Sequence, residues 1–262
     1  MDPTTRFTEL VQGPEERLPL DEAALLIAAH ASAGLDVAAE LRALDNLAAG
    51  VRKPTLDAWR RHLFVDLGFS GDVRSYYDPA NSFLDEVVRR RVGLPITLSV
   101  LGIEIGRRVG LHLQGVGMPG HFLLRHMRGA GAEVYVDPFD AGRVLDRAGC
   151  VERFRAVNGA DAPFLPAFLD PVGPLAILSR MLDNLKSVYA ARGQVVGLEW
   201  VLRLRVVLPG SPPPERRDWA RVLGAAGRFV EAATELEDLV DVLPGQEESL
   251  LGEAFALRAR LN

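Results

Sequence analysis

The sequence is poor in the residues that would announce a chemistry. It holds one cysteine, Cys150, so it cannot form an intrachain disulfide or a metal site built on several thiolates. No apolar run approaches the roughly 20 residues needed to cross a bilayer. The opening stretch, MDPTTRFTELVQGPEERLPL, has neither the basic nor the apolar region of a secretory signal. Positive charge is also short: 30 Lys and Arg against 35 Asp and Glu give a net charge of -5. That balance argues against a general affinity for nucleic acid, and the short runs Arg89-Arg90-Arg91 and Arg107-Arg108 read as solvated helix faces. The expectation is a soluble cytoplasmic protein that binds neither nucleic acid nor membrane.

Three stretches follow with different patterning. Residues 1–70 read as helical: Asp21 is placed to cap DEAALLIAAHA, and LDVAAELRALDNLAAGV and TLDAWRRHLFVDL repeat the helical spacing of apolar residues. Here His30 and His62 read as packing or surface histidines. Residues 71–168 change character. NSFLDEVVRRR predicts a short helix, with Ser82 and Asp85 spaced as a capping box. A second helix is predicted from Pro95 to Arg108, with proline in its first turn and Gly110 just past its end. LHLQGVG, HFLLRH and EVYVD then read as strands, the last two joined by the turn RGAGA. Helices followed by antiparallel strands predict an α+β core.

Residues 169–262 return to helix and carry an internal repeat. Gly193 and Gly227 are 34 residues apart, and Gly210 and Gly245 are 35 apart, each in matching contexts (ARG and AAG; VLPG twice). Helix, glycine turn, helix at this period is similar to tetratricopeptide repeats, with EESLLGEAFALRARL closing the stack.

The candidate chemistry centres on His121. It follows Pro119-Gly120 and opens the apolar run Phe122-Leu123-Leu124, while Asp137 ends the next strand in VDPFDAGR. If the two strands pair, a carboxylate can orient an imidazole, which is half of a nucleophilic triad. The same pair also reads as a hydrogen bond that merely ties two strands together. Pro95, Ser99, Gly102 and Gly106 form a stripe of small residues that lets their helix lie close against the sheet. His121, His126, Glu104, Asp137 and Asp140 could be metal ligands, but no HxxxH or HExxH spacing exists and His121 and His126 fall on opposite strand faces. No metal and no cofactor are expected.

Taken together, RRRVGLPITLSVLGIEIGRRVGL, GVGMPGHFLLR and VYVDPFDAGR resemble the SirB1 family, which joins a transglutaminase-like, papain-like core to C-terminal tetratricopeptide repeats. Active transglutaminase-like enzymes use a Cys-His-Asp triad with the cysteine at the start of the core helix. The resemblance places His121 and Asp137 on the histidine and aspartate positions and Pro95 on the cysteine position. Cys150 follows the aspartate and reads as a structural cysteine rather than a replacement. The resemblance therefore implies a non-catalytic binding or regulatory scaffold that meets a protein partner through its cleft or its repeats. Pro95, Ser99, Asn81 and Arg125 are the cleft candidates. Asn81 reads equally as an Asx-turn, and Arg125 as a partner of Glu133 across the hairpin. The alternative is a hydrolase or acyltransferase acting on amide bonds, with His121 as base, Asp137 orienting it, and a nucleophile not yet identified.

Overall fold

The computed structural model describes residues 2–127 and 131–261. The chain forms two compact units, Glu15–Met181 and Met1–Pro14 with Leu182–Asn262. Helix α1 (Pro3–Val11) belongs to the second unit. The first holds helices α2 (Leu20–Ala31), α3 (Val37–Ala49), α4 (Leu56–Arg60), α5 (Leu84–Arg90), α6 (Pro95–Arg108) and α7 (Arg147–Asn158). A two-residue parallel pair, β1 (Ser70–Gly71) and β2 (Val92–Gly93), flanks α5. The main sheet contains β3 (Gln114–Val116), β4 (Leu123–Met127), β5 (Glu133–Asp137), β6 (Arg143–Leu145) and β7 (Pro171–Val172). It is antiparallel throughout, in the order β6-β5-β4-β3-β7.

Helix α6 has the bounds its sequence announces. Pro95 occupies the first turn, where a missing N–H breaks no bond. Gly110, at φ 76°, takes the left-handed conformation just beyond the end. Its small residues do face the sheet. A Cβ on Gly102 would stand 2.8 Å from Leu124 and 2.9 Å from Trp59, and one on Gly106 would stand 2.9 Å from Leu113. The Trp59 indole N–H donates to the Gly102 carbonyl at 3.2 Å. TLDAWRRHLFVDL is helical in two parts, α4 capped by Thr55 and a wider π-helical turn over Arg61–Asp66.

Several local expectations are corrected. Asp21 does not cap α2, which starts at Leu20 after Pro19. Its buried carboxylate instead accepts from Arg108 at 2.6 Å and Arg107 at 3.3 Å. Burial pushes the Asp21 carboxyl up, but the Arg108 hydrogen bond and charge outweigh it and hold the group below its ordinary value. Burial and then the Asp21 charge raise its neighbour Glu104, which also binds both arginines. Arg107 and Arg108 are thus paired with carboxylates, not merely solvated. Ser82 caps nothing: it lies within a 3-10 turn, Pro79–Ser82, and Phe83 takes the N-cap of α5. The turn expected at RGAGA begins with 128–130, which lie outside the described residues.

Helix α8 (Pro174–Ala191) gives its first turns to this unit. The second unit continues with α9 (Val195–Val206), α10 (Pro213–Ala225), α11 (Phe229–Asp238) and α12 (Glu247–Arg258). From α9 onward each helix packs on the next, and Ala220, Ala233, Leu236, Leu239, Leu250 and Ala254 form the core that α10, α11 and α12 share. Gly193, Gly210, Gly227 and Gly245 all have φ between 63° and 84°. The repeated glycines therefore mark turns that only a residue without Cβ enters without strain. No helix among the described residues is long and apolar enough to cross a membrane.

Candidate functional site

Met118-Pro119-Gly120-His121 forms a tight turn. The His121 N–H donates to the Met118 carbonyl at 3.0 Å, and Gly120 has φ 74°. Proline then glycine at the two central positions is the signature of a type II turn. The turn delivers His121 to a point two residues ahead of β4. In the β4–β5 register Leu124 faces Val136, which sets Leu123 opposite Asp137. His121 shares the face of Leu123, so it is a diagonal neighbour of Asp137.

The two side chains meet. His121 Nε2 is 2.9 Å from each carboxylate oxygen of Asp137, and because a carboxylate only accepts, Nε2 donates. Both residues are buried, Asp137 completely. Asp137 also accepts the main-chain N–H groups of Phe139 (3.1 Å) and Asp140 (3.2 Å) and the Arg153 guanidinium (2.9 Å). The carboxylate is thus saturated with donors from its own turn and from α7. The other ring nitrogen, Nδ1, makes no hydrogen bond among the described residues.

Pro95 opens the helix that packs on β4. Gly102 faces Leu124, and Gly106 faces Leu113, the neighbour of Gln114, which pairs with Arg125. Helix α6 therefore runs in the direction of β4. Its seven residues back to Pro95 rise about 10 Å, and the three strand residues back to His121 span about 10 Å. Ser99 sits one turn deeper and donates its hydroxyl to the Pro95 carbonyl at 2.8 Å, so it is occupied by its own helix. The Thr97 hydroxyl, also in the first turn, is fully buried and unpartnered among the described residues.

The other expected positions divide. Asn81 is joined to the start of α6, since its carbonyl accepts the Leu94 N–H at 3.2 Å. Its amide donates to the carbonyls of Ser75 (2.8 Å) and Tyr76 (3.4 Å), which fixes the loop above, while its Oδ1 is buried without a partner among the described residues. Arg125 bonds Gln114 and Glu133 and makes no bond to His121 or Asp137. Of the possible metal ligands, His126 bonds the His112 carbonyl and Asp140 pairs with Arg153 and Arg143. Among the described residues no three His, Cys, Asp or Glu side chains converge as a metal centre requires. Cys150 is buried on α7 among Tyr135, Leu145 and Phe154. Burial, and then the Asp146 and Asp137 charges, push its thiol up to about 12, the opposite of what a nucleophile needs.

Sequence reasoning missed four residues of the site. Phe139 presents its ring edge-on to His121 (centroids 6.1 Å) and to Tyr76 (5.8 Å). A Cβ on Gly71 would stand 2.3 Å from that ring, so the glycine makes room for it. Arg153 holds Asp137. Arg180, on α8, donates to the His121 carbonyl at 2.8 Å and lies 5.5 Å over the Phe122 ring. Phe139 stood inside the VDPFD motif and was legible there; the arginines and Tyr76 carried no local signal.

The chain is similar in sequence to known proteins. Residues 29–183 match the transglutaminase-like superfamily. The chain belongs to that superfamily. Within it, the chain also belongs to the UPF0162 family. It is 41% identical over 196 residues to a UPF0162 protein of Xylella fastidiosa strain Temecula1, covering 70% of this chain and 69% of the relative. A UPF0162 protein of Vibrio cholerae is 32% identical over 135 residues, 52% of this chain and 50% of the relative. The chain also resembles F-box only protein 21 of Homo sapiens, 36% identical over 150 residues, 55% of this chain and 23% of that protein. No solved structure matches the chain.

Proposed function

We propose that this protein is a non-catalytic member of the transglutaminase-like superfamily, of the SirB1 type, that acts as a binding or regulatory scaffold. Two points carry the reading: Pro95, which the resemblance places on the cysteine position in the first turn of α6, has no nucleophilic atom, and no hydroxyl or thiol bonds the imidazole among the described residues. His121 and Asp137 then serve to hold and polarise the turn beside Phe139 and Tyr76, against which a protein partner docks. The C-terminal helices act as tetratricopeptide-like repeats that offer partner surface. Their helix–turn–helix succession and left-handed glycines support that assignment.

The competing reading is a hydrolase or acyltransferase in which another group replaces the cysteine. The buried, unpartnered Thr97 hydroxyl is what favours it. Hydrolysis of p-nitrophenyl esters and anilides by wild type, His121→Ala and Thr97→Val separates the two. The scaffold reading expects equal background rates in all three. Turnover by wild type that falls at least about tenfold in both variants overturns it.

A further inference from the structure

Away from His121, residues within Glu15–Met181 line an open cavity of about 500 Å³, and neither His121, Asp137 nor Pro95 lines it. Its origin is topological. Strand β7 pairs with β3 only at Gly115 and Val116. The chain then leaves the sheet at Gly173, where a Cβ would strike Glu15, and turns into α8. The segment 111–114 therefore has no strand on that side among the described residues. The floor of the cavity is apolar and buried, formed by Leu18, Leu20, Leu111, Leu113 and Ile177.

The rim is polar and rich in donors. Arg107 gives Nε to Glu104 and one amino group to Asp21, and its Nη1 makes no bond among the described residues. Gln114 uses its carbonyl oxygen to accept twice from Arg125, which leaves its NH₂ group without a bond among the described residues. His112 is exposed beside them. Two carboxylates also line the cavity. Glu104 is occupied by Arg107 and Arg108, and Glu16 is exposed.

We propose that this cavity binds an amphiphile with an unbranched aliphatic chain and a carboxylate head, such as a medium-chain fatty acid. The chain lies along the leucine floor, and the head accepts from Arg107, Gln114 and His112. An apolar floor of this size with a few convergent polar groups has the anatomy of a small-molecule site. The head is assigned by hydrogen-bonding capacity: Arg107 Nη1 and the Gln114 NH₂ group are donors without a bond among the described residues, and Glu104 is already paired with Arg107 and Arg108.

The test is titration calorimetry with sodium decanoate, sodium octanoate and decylamine, each below its micelle-forming concentration. Decanoate binds wild type, and octanoate binds about fifteen-fold more weakly, the loss expected for two buried methylenes. Ile103→Trp blocks the cavity from its half-buried wall and abolishes decanoate binding while the thermal melt is kept. His112→Ala and Arg107→Met weaken decanoate binding, and His121→Ala leaves it unchanged. Absence of decanoate binding overturns the proposal, as does equal binding by Ile103→Trp and wild type. Decylamine binding as tightly as decanoate overturns the head assignment, and loss of binding in His121→Ala moves the ligand to the other cleft. Apart from the His121→Ala result, these outcomes leave the reading of the His121 site to the ester and anilide assay.

Discussion

Arg153 Nε and His121 Nε2 both lie 2.9 Å from the carboxylate of Asp137. The aspartate is therefore shared between an imidazole that ends a tight turn and a guanidinium from α7. With two main-chain N–H groups added, it has a donor on every side. Such a carboxylate fixes geometry whether or not the imidazole performs chemistry, because removing it leaves the buried imidazole without its partner and Arg153 with Asp140 alone.

Asp137→Ala should therefore cost about 1–3 kcal/mol, the range for leaving a buried polar group without its partner. Asp137→Asn keeps an acceptor for the two main-chain N–H groups and should cost less. Urea denaturation of the two variants against wild type checks the order. An alanine variant as stable as wild type would mean that the pair carries no structural weight.

Two glycines of α6 and its end should respond differently to alanine. At Gly102 the added methyl meets Leu124 and Trp59 at 2.8 and 2.9 Å, an overpacking that costs about 1–3 kcal/mol. At Gly110 nothing stands within 4 Å, but φ is 76°, so the cost is conformational and about 1 kcal/mol. Urea midpoints give the two costs. Tryptophan emission separates the causes: it should shift in Gly102→Ala, where Trp59 must move, and stay put in Gly110→Ala.

Cys150 should be silent in the folded chain. Its thiol is raised from 9.0 to about 12 by burial first and nearby carboxylates second, so the thiolate fraction at pH 8 falls by about a thousandfold. Iodoacetamide should label native protein at least about a hundredfold more slowly than protein in urea. The sign for stability follows from the same shift: the folded chain keeps a proton that the unfolded chain loses. Its contribution is complete below the ordinary thiol value and is lost as pH rises from about 9 toward about 12. Cys150→Ala should flatten that part of the pH–stability curve.

Much of this was legible in the sequence where a local rule decides the outcome. Pro95 and Gly110 bracket α6, EVYVD is β5, and the spaced glycines of the C-terminal helices all occupy left-handed turns. The rest depended on contacts between distant segments. Asp21 looks like a cap until Arg107 and Arg108 claim it across the fold. Ser82 loses its capping role because the preceding residues wind into a 3-10 turn. Strands β6 and β7 have three and two residues, too few to show an alternating pattern. The pairing of His121 with Asp137 could be posed from the hairpin, but Arg153 and Arg180 reach the pair from helices whose own sequences say nothing about it.

The Arg180 bond to the His121 carbonyl also bears on how small a working fragment can be. The turn that holds the imidazole is anchored from α8, and α8 is itself tied at its start, where the Leu175 N–H donates to Glu15 at 3.1 Å. A piece cut just after the sheet would keep both members of the pair and lose the brace behind them. An excised core that preserves the cleft must therefore begin no later than Glu15 and extend past Arg180.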